Sequence, residues 1–106
     1  MQQKTLNLLG IAKKAGLLIT GYDAVLDGVQ NNKIKIVFVG NDCSDSTKDT
    51  FNKKCSFHKT DISMEFTSTE LSHAIGTNRK IIGVTDQGIY KTLIGYVGGE
   101  KVWKMI

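Results

Sequence analysis

The sequence predicts an α/β fold, a three-layer α/β/α sandwich with helices on both faces of a small mixed sheet of about four strands. Three observations lead there. Amphipathic stretches at helical spacing alternate with short apolar runs from one end of the chain to the other. Eleven glycines and no proline mark the junctions between them. The length, 106 residues, suits one core and leaves no room for a second.

The elements follow in order. Leu6, Leu9 and Ala12 repeat at helical spacing and Gly16 stands where a helix would stop, which predicts a first helix over about 4–15. The run LLIT, residues 17–20, is too short for a helix and fits a strand. Tyr22, Val25, Leu26 and Val29 then line one face of a second helix, with Thr20 and Asp23 spaced like a capping box at its start. Residues 33–40, KIKIVFVG, form a β-branched run suited to a strand buried on both faces.

Ser44 is a predicted N-cap for a third helix, whose Thr47, Phe51 and Cys55 make a narrow apolar stripe. The stretch ISMEF, 62–66, alternates like a strand, and Thr67 with Glu70 has the pattern of a capping box ahead of a fourth helix that closes on Gly76. KIIGVT, 80–85, reads as the last strand. Asp86 is the expected N-cap of a final helix carrying Ile89, Leu93 and Val97 on one face. The domain is expected over 1–97, with Gly98 and Gly99 breaking it from a tail, 98–106, that carries Trp103.

Charge is modestly basic, 14 Lys and Arg against 10 Asp and Glu, which permits a polyanionic partner without demanding one. The excess sits at the chain ends. Residues 1–20 hold Lys4, Lys13 and Lys14 with no acid, and residues 79–106 hold Arg79, Lys80, Lys91, Lys101 and Lys104 against Asp86 and Glu100. No apolar run approaches the roughly 20 residues of a membrane span. The N-terminal apolar stretch LNLLGIA is short and is followed by Lys13 and Lys14, the wrong order for a signal peptide, so a cytoplasmic location is the expectation. Cys43 and Cys55 are too few to staple the fold and are expected as reduced thiols. With His58 and His73 they would make a scattered zinc set lacking any CxxC pair, so no metal or cofactor is expected. A phosphate-binding glycine loop, GxSxG and HExxH are all missing from the sequence, which argues against an enzyme.

The segments LNLLGIAKKAG, TGYDAVLDGV, KIKIVFVGNDCSDSTK, TELSHAIG and IIGVTDQG, in that order and spacing over about residues 5–95, resemble the kink-turn RNA-binding ribosomal protein family, and within it the bacterial YlxQ-like branch. The resemblance implies an α/β/α sandwich that grips RNA at one end. The start of the second helix would enter a groove of the kinked RNA, and the loop before the last strand would pack on its bases. It places the family's glycine on Gly21, beside Tyr22, and its asparagine, glutamate and lysine on Asp23, Ala24 and Asp27.

None of those three residue types is kept. A carboxylate can only accept hydrogen bonds and repels phosphate, where an amide donates and a lysine attracts. Thr77, Asn78 and Arg79 supply hydrogen-bonding and stacking groups in the second contact loop. Lys13, Lys14, Lys33 and Lys35 are candidates to flank the RNA path. The expected partner is structured or ribosomal RNA, including kink-turn RNA, with no small-molecule substrate. The alternative is a module for ribosomal or other proteins, kept on the fold after kink-turn recognition was lost, with the acidic face of the second helix or Trp103 as its contact.

Overall fold

A computed structural model describes residues 2–96 of the chain. Five helices alternate with four strands: α1 (Gln2–Lys14), β1 (Leu18–Thr20), α2 (Tyr22–Gln30), β2 (Ile36–Val39), α3 (Asp45–His58), β3 (Asp61–Ser63), α4 (Ser68–Ile75), β4 (Ile81–Val84) and α5 (Gln87–Tyr96). The strands form one mixed sheet in the order β1-β4-β2-β3. β4 runs antiparallel to both β1 and β2, and β2 pairs parallel with β3.

The sheet separates two apolar layers. On one face Ile36, Phe38, Ile82 and Val84 meet Leu9 of α1, Leu71 and Ile75 of α4 and Leu93 of α5. On the other, Val37, Val39, Ile62 and Ile81 meet Val25 and Val29 of α2 and Phe51 and Cys55 of α3. The sandwich is therefore α2/α3, sheet, α1/α4/α5. All four residues of β2 and of β4 are buried, because each has a neighbouring strand on both sides and helices above and below.

Most predicted boundaries hold. Gly16 follows α1 at φ 75, a left-handed conformation that glycine takes without strain. Ser44 Oγ accepts from Thr47 N–H, Thr67 and Glu70 close a full capping box, and Asp86 Oδ2 accepts from Ile89 N–H at the start of α5. Val97 and Trp103, with the rest of the predicted tail, lie outside the described residues.

Two expectations are corrected. β3 spans Asp61–Ser63 rather than 62–66: the chain turns away after Ser63, and Phe66 instead enters the core beside Phe38, its carbonyl accepting from Asn41 N–H. Asp61 was missed as a strand residue because it is acidic, yet it is buried and its carboxylate accepts the Tyr90 hydroxyl at 2.5 Å. Burial, with that carboxylate, pushes the Tyr90 hydroxyl up to about 12. The second correction concerns α2. Thr20 does not cap it, since Thr20 is the last residue of β1, paired with Ile82. The N-cap is Gly21, at φ 99 and ψ 155, with no side-chain hydrogen bond.

Candidate functional site

One end of the sheet carries the start of α2, the β2–α3 loop and the loop from Gly76 to Lys80. Their positions are fixed by backbone bonds to the start of β4: Gly21 N–H donates to Ile81 O at 3.0 Å and Gly40 N–H to Lys80 O at 2.9 Å. Between them opens a cleft of about 370 Å³, lined by Gly21, Tyr22, Ser44, Asn78, Arg79 and Lys80 among others. The two stretches singled out in the sequence, one following β1 and the other preceding β4, thus become the two walls of one concavity.

Each wall has a distinct character. Gly21 holds a backbone conformation that side-chain-bearing residues rarely adopt, and no atom lies within 4 Å of where a Cβ would stand, so its wall is open backbone. Without a capping side chain, the first N–H groups of α2 have no partner from a cap. Tyr22 is half exposed, its ring edge-on to Phe51 with centroids 5.1 Å apart. The opposite wall is cationic. Arg79 and Lys80 are exposed, and the Arg79 backbone is clamped by one hydroxyl: Ser72 Oγ accepts from Arg79 N–H at 2.9 Å and donates to Arg79 O at 2.7 Å. Arg79 Nη1 in turn donates to Asn78 O at 2.9 Å.

Asp42, which the sequence places just beyond the end of the β2 run, where it could face a ligand or cap a helix, forms the cleft's third side. Its Oδ1 accepts from both Ser68 N–H and Ser68 Oγ at 2.8 Å, tying the β2–α3 loop to the start of α4. These bonds hold its carboxyl below the usual range. Gly40 permits that closeness, because a Cβ there would collide with Ser68 Oγ. No local pattern could have shown a contact spanning 26 residues.

The remaining candidates are placed elsewhere. Asp23, Ala24 and Asp27 are exposed on α2 and do not line the cleft. Neither aspartate enters an ion pair among the described residues; Asp27 Oδ1 accepts from Asn31 Nδ2 at 3.1 Å near the end of the helix. Thr77 lies with Asn78 in an adjoining hollow of about 630 Å³ bounded by Ser72 and His73. Lys13 and Lys14 end α1, and Lys14 borders a groove of about 750 Å³ between α1 and α4. Lys33 and Lys35 sit at the far end of the sheet: Lys35 N–H donates to Val84 O, at the end of β4, while the cleft is built on its beginning. Among the described residues no three His, Cys, Asp or Glu side chains are grouped to hold a metal, and no helix is long and apolar enough to cross a membrane. Burial, with Asp61 nearby, pushes the Cys55 thiol up to about 12.

Comparison with known proteins agrees with this architecture. A protein of Enterococcus faecium named RNA-binding protein YlxQ is 40% identical over 90 residues, which cover 85% of this chain and 87% of that one. Its namesake in Bacillus subtilis (strain 168) is 32% identical over 88 residues, covering 82% of this chain and 88% of the relative. A solved Bacillus halodurans protein of unknown function superposes with a TM-score of 0.85 at 32% identity, over 90% of this chain and 97% of its own. The Giardia lamblia 15.5kD RNA binding protein has the same fold, with a TM-score of 0.77 at 14% identity over 92% of this chain and 87% of its own. The model of the ribosomal protein L7Ae/L30e/S12e/Gadd45 family matches residues 3–94, and the chain belongs to that family.

Proposed function

We propose that the chain is a non-enzymatic RNA-binding protein, acting in the cytoplasm on structured or ribosomal RNA of the kink-turn kind, and that the cleft at the start of α2 is its contact surface. The observation that carries this reading is the convergence of two walls: an uncapped helix start at Gly21 and a cationic loop at Asn78, Arg79 and Lys80. The relatives named as RNA-binding proteins support it.

The chemistry follows from the groups present. Backbone N–H donors at a helix start attract phosphate oxygens, and the partial positive charge of the helix end adds to that attraction. Gly21 lets an RNA backbone approach without a side chain in the way. Arg79 offers a planar fork for phosphate or a face for a base, on a backbone held in place by Ser72. Asp23 and Asp27 are exposed on the same helix and work against phosphate. Recognition by this chain therefore relies on backbone donors and on the 76–80 loop, in place of polar side chains from α2.

The test is a titration of the protein with a blunt-ended kink-turn RNA and an unkinked duplex of equal length at two salt concentrations. Preference for the kinked RNA, weakened about tenfold or more in Arg79→Ser, is the expected result. Equal, weak binding to both, insensitive to Arg79, would overturn the proposal and leave the acidic face of α2 as a surface for a basic protein partner.

A further inference from the structure

The end of the sheet opposite the cleft gathers Lys33, Lys35 and Lys59. Parallel pairing sets Ile36 of β2 beside Asp61 of β3, so the residues that lead into them, Lys35 and Thr60, enter side by side at roughly the 5 Å spacing of neighbouring strands. Lys33 and Lys59 are the next cations along the two segments, and both are exposed. Within the last turn of α3, Phe57 is 80% exposed, more than Ile11 at 60% or Tyr22 at 40%. Its ring centroid lies 4.9 Å from that of His58, edge to face.

The acids at this end each accept a hydrogen bond from within the fold. Asp27 accepts from Asn31, Asp61 from the Tyr90 hydroxyl and Asp86 from Ile89 N–H. Lys33, Lys35 and Lys59 enter no ion pair among the described residues.

Helix dipoles favour cations at the C-terminal ends of helices, and that accounts for part of the pattern. It does not account for two features. The dipole does not call for an exposed phenylalanine. Lys59 also holds φ 57 and ψ 40, the left-handed position that follows α1 and α4 as Gly16 and Gly76 at φ 75, so a lysine stands where glycine would relieve backbone strain.

We propose that this end is a second RNA-contact surface that takes a single-stranded segment, with phosphates on Lys33, Lys35 and Lys59 and an unpaired base on the ring of Phe57. A blunt duplex offers Phe57 no unpaired base, whereas an unpaired strand engages the lysines and the ring together, because each base offers a π face for stacking. The surface presupposes the RNA function proposed above but not the cleft. A protein contacted at both ends would hold two RNA segments apart by its own width, within a body of 29 × 27 × 22 Å.

The test titrates the full chain with a ten-nucleotide oligouridylate and, in parallel, with the blunt kink-turn duplex. Lys33→Gln/Lys59→Gly removes two cations, and glycine suits the backbone at 59. Lys4→Gln/Lys91→Gln makes the same charge change on α1 and α5. The single strand is expected to bind Lys33→Gln/Lys59→Gly about tenfold more weakly, with the salt slope reduced by about 1.4. Phe57→Ser is expected to bind it about fivefold or more weakly. The control pair should stay within about twofold of the unmodified protein, and no variant should lose kink-turn duplex binding by more than about twofold. Undetectable binding of the oligouridylate to the unmodified protein would overturn the second surface, as would equal losses in the two charge variants or no loss in Phe57→Ser. Failure of the cleft is read separately, on the duplex with Arg79→Ser.

Discussion

Helices α2 and α4 begin at the same end of the sheet and are finished in opposite ways. At α4 the chain satisfies its own donors: Thr67 accepts from Glu70 N–H, Glu70 accepts from Thr67 N–H, and Asp42 accepts from Ser68 N–H. At α2 the cap is Gly21, which has no side chain to offer. The difference shows which helix start is structural and which is left open. Donors consumed by a capping box cannot serve a ligand, whereas donors beside an open cleft can. The family resemblance also points to the start of α2 through Gly21, but the aspartates that stand at its polar positions, Asp23 and Asp27, are not in the cleft.

The contrast can be broken most strongly at Gly21. Alanine there must hold φ near 99, so Gly21→Ala is expected to destabilise the protein by about 1–3 kcal/mol although its methyl meets no neighbour. Denaturant unfolding measures this, and an alanine variant as stable as the unmodified protein would mean the entry to α2 is relaxed.

Next comes a matched pair of truncations. Thr67→Ala removes a cap that is present and should cost about 1 kcal/mol. Asp23→Ala removes no cap hydrogen bond, only the favourable interaction of a carboxylate with the helix start, and should cost about 0.5 kcal/mol. Equal losses in thermal unfolding would erase the distinction between the two helix starts.

The smallest effect is at acid pH. The folded-state pKa of Asp42 is lowered, so its bonds to Ser68 contribute stability that is complete above the unfolded value near 3.8 and is lost as pH falls through the folded one. Asp42→Asn is therefore expected to flatten the acid limb of the stability curve below about pH 4. An unchanged limb would mean the carboxylate does not anchor the start of α4.

Much of this frame was legible in the sequence. The unbroken apolar run of β2 could only belong to a strand covered on both faces, and the Thr67–Glu70 pair was readable because a capping box is a local pattern. The start of α2 was misread for a local reason as well: Thr20 has the right side chain for a cap, but pairing with Ile82 commits its backbone to β1 and shifts the cap to Gly21. β3 was misplaced because Asp61 and Ser63 are polar and buried together, sustained by partners far along the chain such as Tyr90. The convergence of Gly21 with Arg79, and the separation of both from Lys35, depend on the strand order and on the antiparallel direction of β4. Local patterns along the chain do not contain that information; the family resemblance implied the convergence of Gly21 with Arg79, but it grouped Lys33 and Lys35 with them.

The most direct measurement is an amide chemical-shift map of the isotopically labelled protein as blunt-ended kink-turn RNA is added. The expected result is a set of shifts concentrated at residues 21–24 and 77–80, with the amides of Thr67, Ser68 and Glu70 little moved. Shifts centred on the start of α4, or spread evenly over exposed lysines with no concentration at Gly21 and Arg79, would contradict the assignment of the cleft as the RNA-contact surface.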